Sequence, residues 1–250
     1  MSNNSAKTLF DNKTYVFMTE CLSTNDYLLK LLKKKNYEEG TMVNTSYQKD
    51  GRGQRNNEWL SKKDKNLTFS FLLEPNIKLS NQFLLHIITS ISIYKTLLKI
   101  NINNISIKWP NDIYVNDKKI AGILIENLVY QKFIHKSVIG VGLNINQANF
   151  GILNATSTIN ETMKKHNLDQ ILQIFKSIFN KEYLKLNSNK IHEEFDFYKK
   201  NLIGYQIEKK YEYNSAVIKG KIIDVLSDGI LVIQTKDSII KLNFGDIRLV

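Results

Sequence analysis

Four short segments of this 250-residue chain carry side chains whose types and spacing could do chemistry. The first is Lys49 to Trp59, KDGRGQRNNEW. Gly51 and Gly53 allow the backbone to approach a ligand closely, and Arg52 and Arg55 place delocalised charge beside exposed N–H groups. An anion with several oxygens suits such a place, although a surface loop anchored by Trp59 would look the same. The second is Lys108 to Glu126, KWPNDIYVNDKKIAGILIE, in which Pro110 pushes Trp109 toward an extended conformation. Asn111 and Asp112 would then project from a strand edge, the amide fit for a base edge and the carboxylate for Mg²⁺ or a cation. Lys119 lies across the following turn, and Gly122 leaves room for a ligand; a charged hairpin tip is the plainer alternative. The third is STND, Ser23 to Asp26, where hydroxyls at a helix start either cap it or hold a polar head. The fourth is GVGLNIN, Gly140 to Asn146, a strand reaching a pocket or simply a β-bulge.

G-x-S-x-G, H-E-x-x-H and C-x-x-C are absent, and the glycine loop matches neither the P-loop nor the dinucleotide fingerprint. The lone Cys21 has no evident base beside it and cannot form an intrachain disulfide. The chemistry left is positioning and electrostatics: Arg and Lys neutralise an activated carboxylate or phosphoryl group while glycine amides hold it. The formal charge of +11 invites a nucleic-acid reading, but only three of the 35 basic residues are arginine, the side chain suited to bidentate contacts. No segment reads as a signal peptide or membrane span, so a reducing, cytoplasmic setting is expected.

The elements that must position these residues are legible as periodicity. Strands are expected at 15–20, 40–48 and 66–75, with a capped helix after Ser23 and a helix of nearly five turns at 81–99. The segments ISIKWP, DIYV, KIAGILIENLVY and KFIHKSVIGVGLNIN read as three or four short strands in meander order, half-buried beneath the earlier helices. Residues 159–186 have helical spacing. From about Gly204 four or five short strands follow without a helix, which divides the chain into a main domain at 1–203 and a small barrel at 204–250 that leans on it.

Taken together, STNDYL, QKDGRGQRNNEW, KWPNDIYVNDKKIAGILIE and VIGVGLNIN resemble the biotin protein ligases, in the family's order and approximate spacing. The resemblance runs from about Tyr15 to Val250. It implies an α/β (α+β) fold, a mixed, mainly antiparallel sheet with packed helices like class II aminoacyl-tRNA synthetases, followed by an SH3-like barrel. Because STND comes early, the chain looks like the monofunctional form, without the N-terminal DNA-binding winged helix of regulatory members. The implied reaction joins biotin to ATP as biotinyl-5′-AMP, releases pyrophosphate, and passes biotin to a lysine of a biotin carboxyl carrier protein or domain, as in acetyl-CoA carboxylase. No specific DNA and no membrane is expected as a partner, and the implied oligomeric state is a monomer or weak homodimer.

By the same resemblance Ser23, Thr24 and Gln48 would face the ureido head of biotin, with Asn25 supporting that corner. Gly51, Arg52 and Gly53 would close over the intermediate, and Arg52 and Lys119 would be the catalytic cations. Arg55, Trp59, Lys108, Asn111, Asp112 and Asn144 would serve the ATP and adenylate side, with Asp112 assisting Mg²⁺. Gly122 and Gly142 would line the walls. Asn56 stands where many members have Gly and is expected to take the left-handed turn there; Gln54 stands where many have Arg. Lipoate protein ligase, which usually carries an R-R-x-S-G-G-G loop and lacks KWPND, is the sister alternative. A basic nucleic-acid-binding protein is the non-enzymatic one.

Overall fold

A computed structural model describes residues 8–55, 57–186, 188 and 190–249. Its first sheet is built from β1 (Tyr15–Met18), β2 (Met42–Thr45), β3 (Leu67–Leu73), β4 (Ile77–Lys78), β5 (Ile105–Lys108), β6 (Asp112–Val115), β7 (Lys118–Tyr130) and β8 (Phe133–Leu143). The order is β1-β2-β3-β8-β7-β6-β5, with β4 beside β8. Only β1 and β2 run parallel; every other neighbour pair is antiparallel, which gives the expected mixed, mainly antiparallel sheet. In the middle of the chain β7 and β8 span 13 and 11 residues, rather than being short. Their hairpin registers one glycine against another, Gly122 opposite Gly142.

Helices cover both faces, so the centre of the sheet is buried on two sides rather than half-buried. On one face lies α1 (Thr24–Lys34), touching β2, β3 and β8, with Leu28 packed beside Val43, Leu72 and Val138. On the other lie α2 (Phe83–Lys99), α4 (Leu168–Tyr183) and α5 (Ile191–Lys200); the short α3 (Thr158–Thr162) precedes them in the chain after β8. The alternation of β3 assigns the faces. Phe69 and Phe71 point at Phe175 and Phe179 of α4, while Thr68 and Ser70 point the opposite way. Each large apolar side chain so buried contributes roughly 1.5–3 kcal/mol.

The apolar character of α2 runs almost around its circumference because it is sandwiched between the sheet, α4 and α5. Its hydroxyls Thr89, Ser92 and Thr96 donate to carbonyls one turn back, at 2.7 Å each, so burial leaves them satisfied. The helix α5 has no counterpart in the sequence reading. Glu194 on it and Glu182 on α4 are buried, and Lys95 of α2 and Lys185 pair with both. Burial pushes the Glu182 carboxyl up, but Lys185 and Lys95 outweigh that and hold it below the ordinary carboxylate range.

A second sheet follows, made of β9 (Lys209–Tyr213), β10 (Ala216–Val225), β11 (Leu231–Gln234), β12 (Ile239–Leu242) and β13 (Ile247–Leu249), ordered β12-β11-β10-β9-β13 and antiparallel throughout. It corresponds to the small barrel expected from about Gly204. The Asn214-Ser215 turn takes positive φ at both residues, the form that matches the twist of a hairpin. This sheet docks through Phe244, whose ring lies 5.3 Å from Trp109, 5.7 Å from Phe83 and 5.9 Å from His86. Trp109 Nε1 donates to Gly229 O at 3.1 Å across the same junction. Among the described residues no helix is long and apolar enough to cross a membrane.

Candidate functional site

The face of the sheet under α1 changes character along its length. Toward one end it packs Val43, Leu72 and Val138; toward the other the inward positions are Thr68, Ser70, Gly140, Gly142, Gly122 and Leu124, mostly small. Small side chains under a helix N-terminus leave a cavity, and this one is lined by Ser23, Thr24, Asn25, Gln48, Arg52, Gly53, Trp59, Asn111, Asp112, Lys119 and Gly122 among others. With Gly142, which also lines it, twelve of the sequence candidates thus meet at one place.

At its inner end Ser23 caps α1, accepting from the Asp26 amide at 3.4 Å. Thr24 donates through its amide (2.8 Å) and its hydroxyl (3.0 Å) to Gln48 Oε1. Ser70 Oγ lies 2.7 Å from Thr24 Oγ1 and 2.6 Å from Asn25 Oδ1. The result is a buried row of hydroxyls and amides without a formal charge, suited to a polar uncharged group. A side chain at Gly140 would strike Asn25 Oδ1 at 2.2 Å, so glycine is what admits this row to the sheet surface.

The wall of the cavity is Trp59. Its indole rests on the glycine pair: a Cβ at Gly142 would lie 2.2 Å from Trp59 Cε2, and one at Gly122 3.2 Å from Cζ3. Lys119 Nζ stands 5.6 Å from the indole centroid and 2.7 Å from Asp112 Oδ1. Trp59 Nε1 is buried with no hydrogen-bond partner, a donor that a bound acceptor could use. Asn111 donates through Nδ2 to Ile123 O at 2.8 Å, tying the start of β6 to β7.

The glycine loop is internally bonded rather than loose. Trp59 N–H donates to Gly51 O and Gly53 N–H to Asn57 O, both at 2.6 Å, making a miniature hairpin. Arg55 takes a left-handed conformation there (φ 56°), while the expectation for Asn56 lies outside the described residues. Arg52 Nη2 reaches Asp26 Oδ1 at 2.7 Å and Glu126 Oε2 at 2.9 Å. Both cations facing the cavity, Lys119 and Arg52, are therefore held by carboxylates.

Four candidates sit outside the cavity lining. Gly51 faces a second groove on the far side of the loop, lined also by Glu58, Trp59, Leu60, Gln147 and Phe150. Arg55 turns away, and its guanidinium packs on Gly245 in the turn between β12 and β13, where any side chain would collide with it. Lys108 lies opposite Asp112 on β5, its amine 5.4 Å from the Tyr114 ring centroid. Burial lowers the pKa of Lys108; Asp112 opposes this, and Lys119 and Arg248 add to it. Burial, with the Asp112 charge, pushes the Tyr114 phenol up to about 12. Asn144 is buried behind the end of β8, donating to Thr156 O at 3.0 Å while its Oδ1 has no partner. Residues the sequence reading left without a role are Ser70, Asp26, Glu126 and Gly140. The alternation of LTFSFLL, two large aromatics on one face and two hydroxyls on the other, was the available signal for Ser70.

Residues 19–144 match the model of the biotin/lipoate A/B protein ligase family. A bifunctional ligase/repressor BirA of Bacillus spizizenii is 24% identical over 240 residues, 94% of this chain and 74% of that protein. The Escherichia coli protein of the same name is 32% identical over 123 residues, 49% of this chain and 38% of its own length. Among solved structures, a biotin protein ligase from Aquifex aeolicus in complex with biotin and ATP superposes with a TM-score of 0.78 at 27% identity, covering 95% of this chain and 98% of that one. The match spans the α1 N-terminus, the glycine loop, the Asn111-Asp112 corner and the glycine floor, and this chain belongs to the biotin/lipoate A/B protein ligase family.

Proposed function

We propose that this protein is a biotin–protein ligase that activates biotin with ATP and then transfers it to a lysine of a carboxylase carrier domain. The observation that carries the reading is the division of one cavity into an uncharged hydroxyl and amide row and a cationic end bearing Arg52 and Lys119. A cyclic urea fused to an apolar ring and ending in a carboxylate has the same division. Thr24, Asn25, Ser70 and Gln48 suit its head, while Lys119 and Arg52 suit the carboxylate and the α-phosphate it attacks.

In the first step a carboxylate oxygen forms a bond to the α-phosphorus, the bond to the bridging oxygen breaks, and pyrophosphate leaves. Negative charge accumulates on the nonbridging oxygens of the transferring group. Cations already fixed at that point stabilise the transition state without reorganisation. Asp112 and Glu126 hold Lys119 and Arg52 in place before substrate arrives. In the second step a carrier lysine amine attacks the mixed anhydride, the new amide forms, and AMP departs with the broken C–O bond's electrons.

No group of three or more His, Cys, Asp or Glu side chains among the described residues could hold a metal by itself. Mg²⁺ commonly binds one or two carboxylates together with substrate phosphates. Asp112 fits as the single protein oxygen donor, and the ion supplies charge neutralisation of the triphosphate when it enters with it.

Pyrophosphate exchange into ATP, measured with biotin, with lipoate and with neither acid, tests the reading. Exchange dependent on biotin is expected, with biotinyl-5′-AMP visible by mass spectrometry. Exchange with lipoate alone would reassign the substrate within the family, and exchange with neither acid by folded protein would refute acid activation.

A further inference from the structure

Glu126 lies on β7, four positions beyond Gly122 and on the same face. Its Oε2 accepts from Asn25 Nδ2 at 2.8 Å and from Arg52 Nη2 at 2.9 Å, and Oε1 accepts a second contact from Arg52 Nη2 at 3.0 Å. A guanidinium from the glycine loop and an amide from the first turn of α1 thus converge on one oxygen. An ionised carboxylate only accepts, so it obliges the Asn25 NH₂ to face it and the Asn25 carbonyl to face Ser70. From Asn25 the row continues through Ser70 to Thr24 and Gln48.

Asp26 supplies a contrast within the same site. It pairs with Arg52 at 2.7 Å from the neighbouring position of α1, on the residue next to Asn25 but not through its amide. Arg52 therefore has two carboxylate partners, and only Glu126 also fixes the orientation of the head-group corner.

We propose that Glu126 is a positioning residue that couples occupancy of the Thr24–Asn25–Ser70 corner to the placement of the Arg52 loop. A head group that takes a hydrogen bond from Asn25 or Ser70 changes the load on Glu126 Oε2, and with it the hold on Arg52. The loop is then set for the carboxylate and phosphate only when the head is in place. The coupling rests on the biotin ligase reading of the corner.

The test compares wild type, Glu126→Gln and Asp26→Asn by hydrogen exchange of amides 51–59, with and without biotin and in the absence of ATP, alongside biotin-dependent pyrophosphate exchange. In the wild type biotin alone should change exchange in the loop. Asp26→Asn should raise the unliganded rate but keep the response to biotin. Glu126→Gln should abolish the response and raise KM for biotin about fivefold, as expected when a charge-assisted contact becomes neutral, with a smaller change in kcat. Thermal melting identifies a folding defect, in which case Glu126→Asp, which keeps the charge but withdraws it from one of its partners, takes the same measurements. A Glu126→Gln protein that responds to biotin like wild type, an Asp26→Asn protein that loses the response equally, or a wild-type loop insensitive to biotin would overturn the coupling. Absence of biotin-dependent pyrophosphate exchange in wild type would instead remove the functional reading beneath it.

Discussion

Lys119 illustrates how a single ammonium can be prepared for its task by neighbours it does not need for folding. It is about one-third exposed, pairs with Asp112 at 2.7 Å and stands over the Trp59 indole, so its removal empties little of the core. Lys119→Ala should lower kcat for adenylate formation by roughly 10²–10³, the usual cost of losing one preorganised charge-stabilising contact, with little change in melting temperature. Pyrophosphate exchange at saturating biotin and ATP measures the first, calorimetry the second. Such residues were legible in the sequence because a charged side chain in a glycine-bearing motif announces itself. Ser70, Gly140 and Glu126 were not, because their meaning arises from register. Ser70 pairs with Gly140, Gly140 with Leu124, and Glu126 stands one inward position beyond, so that β3 meets both arms of the β7–β8 hairpin across a long stretch of chain. The resemblance assigns the Arg55 side chain to the nucleotide, whereas in the fold its guanidinium lies against Gly245.

At the scale of elements, periodicity read most of the first sheet, α1, α2 and the strand run after Gly204. It missed α5, whose sequence IHEEFDFYKK is too polar and short to declare a buried face until Lys95 and Lys185 supply partners for Glu194. Nor does it show the bonds within the glycine loop, since backbone contacts between residues four and eight apart leave no trace in side-chain type. The loop is a small hairpin with Arg52 and Arg55 at opposite anchorages, one on α1 and β7 and the other on the second sheet. Such a unit is expected to open as a whole. Trypsin cleavage at Lys49, Arg52 and Arg55, followed by mass spectrometry, should slow together when biotin and ATP are added, because local opening has to precede cleavage. Slowing at one of the three sites with the others unchanged would show that the segment does not move as a unit.

For the whole molecule the decisive junction is the one between the two sheets, where His86 is fully enclosed by Phe83, Phe244 and their neighbours. Burial pushes its imidazole down to about 4 from an ordinary 6.5. Below pH 6.5 the unfolded chain takes up a proton that the folded one refuses. This contribution is therefore whole above pH 6.5 and is lost as pH falls toward 4, by about 3 kcal/mol. Denaturant titrations from pH 7 to 4 should show that slope, and His86→Leu should flatten it. The charge of +11 acts at longer range. Raising salt from about 50 to 500 mM should slow transfer of biotin to an acidic carrier domain more than it slows adenylate formation, since only transfer requires two proteins to meet. Equal sensitivity of the two steps would remove electrostatic capture from the account. The chain has two tryptophans, and the fold places one on the glycine floor beside Lys119 and buries the other against Gly229 and Phe244. Its native ultraviolet emission is consequently the sum of two reporters, one viewing ligand entry and one viewing the seam between the sheets. Replacing Trp109 by phenylalanine leaves a single lamp in the cavity, by which substrate arrival can be timed without attaching a dye.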